Sequence, residues 1–261
     1  MSSLVFQIIL PFVLSAFIVI LVMYVAERYG SKIGGIIGTL PSTIVIAFLF
    51  IAYSEGTAFA SQAASVVPIE LGINVIFLLL FALLIRRSTI LAFLASFVVW
   101  SILSLALMVC SIQDMVLSFF LYIVTVIVAF VILEKIKKVP SIGNVKVHYT
   151  LQKIMLRGVL AGVVIAISVL LSNINAVVSG VFSVFPAILS STMLISVREH
   201  GSDFAAGMAK SMMLGLSSVA TYATVIHFFY PLYGIIIGSI VAYIIALCVT
   251  IALYTVRSKI S

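Results

Sequence analysis

Long runs of apolar residues, separated by short polar stretches, dominate the chain. Nine such runs follow one another, and each is 18 residues or longer. A helix of that length can cross a hydrocarbon core of about 30 Å. Strand-like alternation is absent, so helices are the spanning structure that lipid permits. The predicted spans cover 4–26, 33–54, 57–85, 89–112, 115–133, 154–171, 176–197, 204–229 and 232–256.

Composition supports the same interpretation. Hydrophobic residues make up 64% of the 261 residues and charged residues only 8%, with a mean hydropathy of +1.41. Soluble domains are near half apolar and a quarter charged. No basic residue precedes the first run and no small-residue cleavage site follows it, so we expect it to remain as a membrane helix. The sequence predicts an all-α polytopic membrane helix bundle.

The basic residues indicate how such a bundle is oriented. If the connections between nine spans alternate between two faces, 12 of the 14 Lys and Arg residues fall on one face and none on the other. Arg157 lies one turn inside that basic face, and Lys210 lies within a span. The positive-inside rule then predicts the cytoplasmic (inner) membrane, with the N-terminus outside and the C-terminus cytoplasmic. This distribution, rather than nucleic-acid binding, accounts for the net charge of +7.

The chain also matches itself at an offset of 145 residues. Gaps are not needed, and the register includes a proline and a Phe-Ala pair. Residues 1–112 form the predicted first repeat, 113–150 a connector helix with a basic loop that touches lipid headgroups, and 151–261 the second repeat. An odd number of crossings separates equivalent spans, so the second repeat is predicted to be inverted. The equivalent pairs are Gly35 and Gly180, Pro41 and Pro186, Gly56 and Gly201, Phe59 and Phe204, Ala60 and Ala205, and Ala64 and Ala209.

One of the repeated segments resembles a known family. The tract Gly180-Val-Phe-Ser-Val-Phe185-Pro186, continuing to Glu199-His200-Gly201-Ser-Asp-Phe204-Ala205, is similar to the signature of GlpM-like small integral membrane proteins. The similarity is clearest over 176–210 and fainter over 31–65. Members of that family are about half this length, so the resemblance implies two fused units with a polytopic membrane fold. It implies no particular substrate.

Two prolines mark the candidate solute site. Pro41 and Pro186 lie nine or ten residues into their spans, near the expected bilayer midplane. Proline removes a backbone donor and clashes with the preceding turn, so carbonyl groups are freed there. Interrupted helices at equivalent positions of two repeats are typical of transporter sites. The alternative is a kinked pair of helices whose small residues permit close packing. The predicted substrate-binding residues here are Thr39, Pro41, Ser42, Thr43, Pro186, Ser190 and Ser191.

Two charged residues within spans add to this site. Glu70 is the one acid deep in a predicted span, where a charge costs about 2.5–3.5 kcal/mol on the translocon scale. It is the candidate for proton coupling, unless it is permanently protonated and bonded to a neighbouring helix. Lys210, in the eighth span, is predicted to pair with Glu70 or to bind an anionic solute. The alternative is that its long side chain reaches the cytoplasmic surface.

Other polar groups give weaker signals. Glu199, His200 and Asp203 lie close together in a short connection and are weak candidates for metal ligands, with a solvated turn as the alternative. Cys110 and Cys248 lie in apolar segments, and we interpret them as ordinary packing residues without disulfide or metal role. The sequence predicts no cofactor.

Three functions remain open. The first is a secondary active transporter of a small solute that works by alternating access, with proton coupling through Glu70. The second is a divalent metal or small-ion permease or channel, for which Met193, Met208, Met212 and Met213 offer soft ligands. The third is a non-transporting membrane scaffold in envelope assembly. Known catalytic motifs are absent, so we do not expect an enzyme. Expected partners are membrane lipid, the solute or ion and, as an open option, a second copy in a homodimer.

Overall fold

A computed structural model describes residues 5–28, 41–139 and 150–260. Within these ranges the chain forms helices and short connections, and no strand is present. This confirms the prediction of an all-α fold. The helices are α1 (Leu10–Arg28, after a π-helical turn Val5–Ile9), α2 (Ser42–Glu55), α3 (Thr57–Ser65), α4 (Val67–Leu84), α5 (Thr89–Cys110), α6 (Met115–Val131, continued by a π-helical turn Ile132–Ile136), α7 (Leu151–Leu171), α8 (Ala176–Ser183), α9 (Ala187–His200) and α10 (Ser202–Ile260).

Six helical stretches in the described ranges are long and apolar enough to cross a membrane. Two further apolar helices, Gln7–Val22 and Ser42–Glu55, are shorter. The stretch α10 covers the predicted eighth and ninth spans and consists of two helices that meet at a kink at Gly234, with φ 74° and ψ −178°. The count of nine spans stays a prediction. The six stretches are Thr57–Leu84, Thr89–Cys110, Met115–Ile136, Leu151–Leu171, Ala176–His200 and Ser202–Leu253.

The outer surface of the bundle is apolar, and several polar side chains lie inside. On α5 the buried face carries Ser96, Trp100 and Ser104 at helical spacing. Such an inverted pattern suits a helix that faces lipid on one side and a packed interior on the other. The fold is therefore that expected of a multi-pass membrane protein. The large exposed side chains of α5 are Ile90, Leu91, Leu94, Val98, Ile102, Leu105 and Val109.

Polar residues in the connections determine where several helices begin. Ser88 Oγ accepts a hydrogen bond from the backbone N–H of Leu91 at 3.4 Å, which caps α5. Asp114 caps α6 and Asn175 caps α8 in the same way. These side chains satisfy amide groups that the first helical turn leaves without partners. The helix starts therefore follow from local sequence.

The stretch α3–α4 and the first half of α10 run antiparallel. Near the start of α3, Ser61 Oγ donates to the carbonyl oxygen of His227 at 2.6 Å. At the opposite end, Arg86 Nε donates to Asp203 Oδ1 at 2.8 Å. The two helical stretches thus touch near both ends, with opposite chain directions. The connection after α2 and the connection after α9 therefore lie at opposite ends of the bundle.

Small residues allow the helices to approach closely. A Cβ added at Gly180 of α8 would lie 2.2 Å from the Ala63 carbonyl oxygen of α3. Gly158 and Gly162 of α7 meet the backbone of α1 in the same manner. Small-residue contacts of this kind are common between membrane helices. Cys110 and Cys248 are free and exposed, so neither belongs to the buried core.

Candidate functional site

Glu70 lies in the first turn of α4 and is 0% exposed. Its Oε1 accepts a hydrogen bond from Ser104 Oγ of α5 at 2.8 Å. Its Oε2 has no well-formed hydrogen bond, although the indole N–H of Trp100, which also lacks one, lies against the same carboxyl. No Lys, Arg or His of the described ranges forms an ion pair with the carboxyl. An isolated buried carboxyl of this kind is costly when ionised. Glu70 is enclosed and lies near the centre of the continuous apolar stretch Thr57–Leu84, as expected for an acid within a span.

Asn74 lies one turn after Glu70 and is also buried. Its Nδ2 donates to the Val184 carbonyl oxygen at 2.8 Å, whereas its Oδ1 has no partner. Val184 belongs to the short break between α8 and α9. The carbonyl group that the broken helix leaves open is therefore satisfied by a side chain from α4. The sequence analysis missed Asn74, although a lone amide in an apolar span is itself a signal.

The break itself is built around Pro186. Helix α8 ends at Ser183, and α9 begins directly after Pro186, which has φ −77° and ψ 32°. Pro41 directly precedes α2 with nearly the same angles, φ −78° and ψ 44°. Thr39, the other predicted site residue before this helix, lies outside the described residues. The two prolines thus play the same local role, as the first residue before a 14-residue helix.

An aromatic cluster lies beside the break. The rings of Trp100 and Phe185 meet edge to face with centroids 4.9 Å apart, and Phe97 and Phe182 pack against the same pair. Trp100 is buried, and its Nε1 has no hydrogen-bond partner. It lies one turn before Ser104 on α5, the residue that donates to Glu70. The cluster therefore connects the carboxyl-bearing turn of α4 to the broken helix.

The hydroxyl groups that follow each proline were predicted to line the site with Glu70, but in the described ranges they do not bond to it. Ser42 and Thr43 of α2 are half-buried, and Ser190 of α9 is buried. Ser191 Oγ donates within its own helix to the Ile188 carbonyl at 3.0 Å. Hydrogen bonds between these hydroxyls and Glu70 are absent from the described part of the chain. The structure therefore groups Glu70 with Asn74, Trp100 and Ser104 instead.

The side chain of Arg157 is buried on α7. Its Nη2 donates to Thr192 Oγ1 of α9 at 2.9 Å. This contact joins α7 to α9, the helix that follows the break. Sequence alone placed Arg157 near the basic face without a partner.

Lys210 does not pair with Glu70. Its Nζ donates to Glu134 Oε2 at 2.7 Å and to the Val139 carbonyl oxygen at 2.8 Å. Glu134 lies in the π-helical turn that ends α6, so Lys210 binds the connector rather than the first repeat. Lys210 is only 4% exposed, but its amino group meets Glu134 and Val139 at the end of the bundle where the basic connector begins, so its side chain extends toward that end without reaching solvent. The prediction failed because the position of the connector helix cannot be read from an internal repeat.

The three weak candidates for metal ligands, Glu199, His200 and Asp203, each contact a different residue. Glu199 forms an ion pair with Lys153, and Asp203 forms one with Arg86. The ring of His200 packs against Phe204, with centroids 4.4 Å apart. Across the described ranges, no three His, Cys, Asp or Glu side chains converge on one point. These residues therefore lie in ion pairs and ring contacts at the end of the bundle.

Comparison of the chain with known protein families, with curated proteins and with solved structures finds no match. The resemblance to GlpM-like proteins accordingly stays a prediction from the sequence.

Proposed function

We propose that the protein is a secondary transporter of a small solute that works by alternating access, with Glu70 as the proton-exchanging group. One observation carries the proposal: a fully enclosed carboxyl without a counter-ion lies one turn from the side chain that holds the broken helix. Ionisable groups inside a membrane bundle mark solute or proton paths more often than they stabilise a fold. Broken helices beside such a group are typical of transporter sites.

The proposed architecture is two inverted four-helix units, residues 1–112 and 151–261, within nine spans. Several features support it at the offset of 145 residues. Helices α2 and α9 have equal length, and each follows a proline with similar backbone angles. Each is followed by a glycine in the same unusual conformation, Gly56 with φ 91° and Gly201 with φ 85°. The antiparallel contact of α3–α4 with α10 is what an inverted repeat requires.

The proposed orientation puts the basic end of the bundle in the cytoplasm. Ion pairs of Arg86 with Asp203 and of Lys153 with Glu199 lie at one end. The connections 55–57, 111–114 and 172–175 contain no Lys or Arg, and Glu55 and Ser172 meet through a hydrogen bond of 3.3 Å. The positive-inside rule then favours an inner-membrane protein with a cytoplasmic C-terminus.

The proposed mechanism follows from the chemistry of an enclosed carboxyl. A neutral Glu70 suits the closed centre described here, because an ionised carboxyl without a partner is costly in a dry interior. Opening the bundle to either side would let water or a solute reach Oε2 and release the proton. Solute and proton would then occupy the site in alternation. Proton and solute movement are coupled because the bundle can close when Glu70 is protonated or when the solute is bound, but not when the Glu70 carboxylate is ionised and unpaired.

The test uses protein reconstituted into liposomes that contain a pH-sensitive dye. A panel of amines, amino acids, sugars and carboxylates is added outside, one at a time, and proton movement is recorded. We expect at least one solute to move protons with the wild-type protein, and Glu70→Gln to abolish this movement. The matched control is Glu55→Gln, which changes an acid at the end of α2.

Two results would contradict the proposal. Wild-type vesicles that stay silent with every solute would remove the transport function. Unaltered solute-driven proton movement in Glu70→Gln would remove Glu70 from the mechanism. Proton flux that needs no solute would instead indicate a small-ion channel.

A further inference from the structure

We infer that the solute is a small organic cation with N–H donors, such as an alkylammonium or guanidinium ion, held between Glu70, Asn74 and Trp100. This inference rests on the proposed transport function and adds the class of substrate. It comes from the polar atoms around the carboxyl that the fold leaves without partners, and from the aromatic surfaces beside them.

The open hydrogen-bonding capacity on α4 consists of acceptors. Because Asn74 Nδ2 faces the Val184 carbonyl oxygen, which can only accept, its Oδ1 is left as the free acceptor. Glu70 Oε2 is the second oxygen without a partner, one helical turn away. The Trp100 indole N–H beside the carboxyl is one unpartnered donor against these two oxygens, so acceptors are in excess. Buried polar atoms nearly always have partners, so this excess calls for a ligand that donates.

The aromatic cluster suits a positive charge. Helices α4 and α5 are antiparallel neighbours, and the bond from Ser104 to Glu70 fixes their register. Asn74, one turn further along α4, then lies level with Trp100, one turn back along α5. The break residue Phe185 contacts the Trp100 ring. Aromatic rings attract ammonium and guanidinium groups through their negative faces, and tryptophan does so most strongly.

Basic side chains of the bundle interior are directed elsewhere. Lys210 binds Glu134 and Val139, and Arg157 binds Thr192. An anionic solute at Glu70 would therefore meet the carboxyl and the Asn74 Oδ1 acceptor, with no cation to offset them. A cation would neutralise the carboxylate and leave the centre without net charge, which is the condition for closure over the solute. The enclosure of Glu70 and Asn74 limits the solute to a small one.

The chain provides its own probe, because Trp100 is its one tryptophan. Protein in lipid nanodiscs is titrated with ethylammonium, methylguanidinium, tetramethylammonium or acetate, and Trp100 fluorescence is recorded. We expect saturable changes with ethylammonium and methylguanidinium, weaker binding of tetramethylammonium because it has no N–H, and none with acetate. Glu70→Gln should weaken ethylammonium binding by about tenfold or more, since a charge-assisted bond is lost, whereas Glu55→Gln should not.

A second measurement needs no variant. A hydrophobic carbodiimide reacts with protonated carboxyls inside membranes, and mass spectrometry then locates the modified residue. We expect Glu70 of the wild-type protein to be modified, and ethylammonium to protect it whereas sodium acetate does not. This keeps the inference testable even if Glu70→Gln fails to fold.

The outcomes separate this inference from the proposed function. No saturable signal with either N–H cation, binding of acetate, equal binding of tetramethylammonium, or unchanged binding by Glu70→Gln would each overturn the cation assignment. Proton movement driven by a neutral or anionic solute would also overturn it, while leaving the transport proposal intact. Cation binding without uptake into liposomes would support the site and contradict transport.

Discussion

Asn74 joins two parts of the molecule that lie 110 residues apart in the chain, the carboxyl-bearing turn of α4 and the break before α9. A proline in a membrane helix frees backbone carbonyls, and lipid cannot satisfy them. The amide of Asn74 supplies the missing donor at Val184. At the same time it leaves an acceptor one turn from Glu70. A single side chain thus stabilises the interruption and contributes to the proposed site.

Replacement of this amide is expected to weaken the whole bundle. Asn74→Leu keeps the branched shape but leaves the Val184 carbonyl buried without a donor, so we expect a loss of about 1–3 kcal/mol in stability. The loss is measured as earlier thermal unfolding in detergent, followed by Trp100 fluorescence. Asn173→Ala serves as the control, because Asn173 is exposed and bonds within its own turn. Equal melting temperatures of the wild type and Asn74→Leu would show that the Val184 carbonyl does not need the Asn74 donor for stability.

Rare residue types made part of this site predictable from sequence. Glu70 and Pro186 stand out because acids and prolines are unusual in apolar spans. Trp100 and Ser104 do not, since single aromatic or hydroxyl residues are common in membrane helices. Their role depends on which face of α5 meets α4, and that register follows from tertiary packing. For the same reason the sequence could not assign Glu134 to Lys210.

At the scale of elements, the closest approach beside the break is that of α8 to α3. The backbone of α3 leaves no room for a side chain at Gly180, since the nearest obstacle is a carbonyl oxygen rather than a flexible side chain. The equivalent residue of the first repeat, Gly35, lies outside the described residues. The approach brings the start of the broken helix against the stretch that leads to Glu70. The distance between α8 and α3 therefore determines where the proposed site lies.

One added methyl group at this contact should be harmful. Gly180→Ala is expected to lower stability by about 1–3 kcal/mol, because overpacking forces the two backbones apart. The control is Gly72→Ala on α4, where a Cβ would lie 3.6 Å from its nearest neighbours in Thr125 and Tyr122. That change should be neutral or slightly stabilising, as alanine favours helix. Melting curves of both variants in the same detergent provide the measurement. Similar stability of the two variants would contradict the close contact.

The connector helix is tied to the second repeat by the ion pair of Lys210 and Glu134. Lys210 is buried and Glu134 partly so, whereas Arg86 and Asp203 are both exposed at 57% and 66%. A double-mutant cycle with Lys210→Met and Glu134→Gln should give a coupling free energy of about 1–2 kcal/mol. The same cycle with Arg86→Met and Asp203→Asn should give at most about 0.5 kcal/mol, and less at high salt. Equal coupling in the two cycles would mean that burial does not strengthen the connector's attachment.

At the scale of the whole molecule, hydropathy alone predicted an all-helical chain with several membrane-spanning helices, because lipid permits little else. It did not predict the interruption of the third predicted span at Val66, between α3 and α4, or the π-helical turn at the end of α6. The change at Val66 has a local cause in Pro68, which removes a backbone donor in the first turn of α4. The stretch α3–α4 contacts the first half of α10 near both ends and runs antiparallel to it. If the two stretches are equivalent parts of a repeat, this contact predicts that the repeat is inverted, which can be tested by labelling.

That topology can be mapped with single cysteines. In a background with Cys110→Ser and Cys248→Ser, we expect Thr57→Cys and Asn173→Cys to react with a membrane-impermeant maleimide from outside intact cells. Ser88→Cys and Ser202→Cys should react only after permeabilisation, because they lie at the end with the ion pairs of Arg86 and Lys153. Labelling of Thr57→Cys and Ser202→Cys from the same side would exclude the inverted repeat. It would also remove the structural basis of alternating access.

The joint between α2 and α3 is one residue long, and so is the joint between α9 and α10. Each is a glycine with positive φ, a conformation that other residues rarely adopt. A long, flexible loop would let adjacent helices move independently. A one-residue connection allows relative movement only through the φ and ψ angles of that residue. Any swing of α9 must therefore be transmitted to α10 as a rotation about Gly201, and α2 must drive α3 through Gly56 in the same way. Gly56 and Gly201 are therefore single-residue hinges at opposite ends of the bundle.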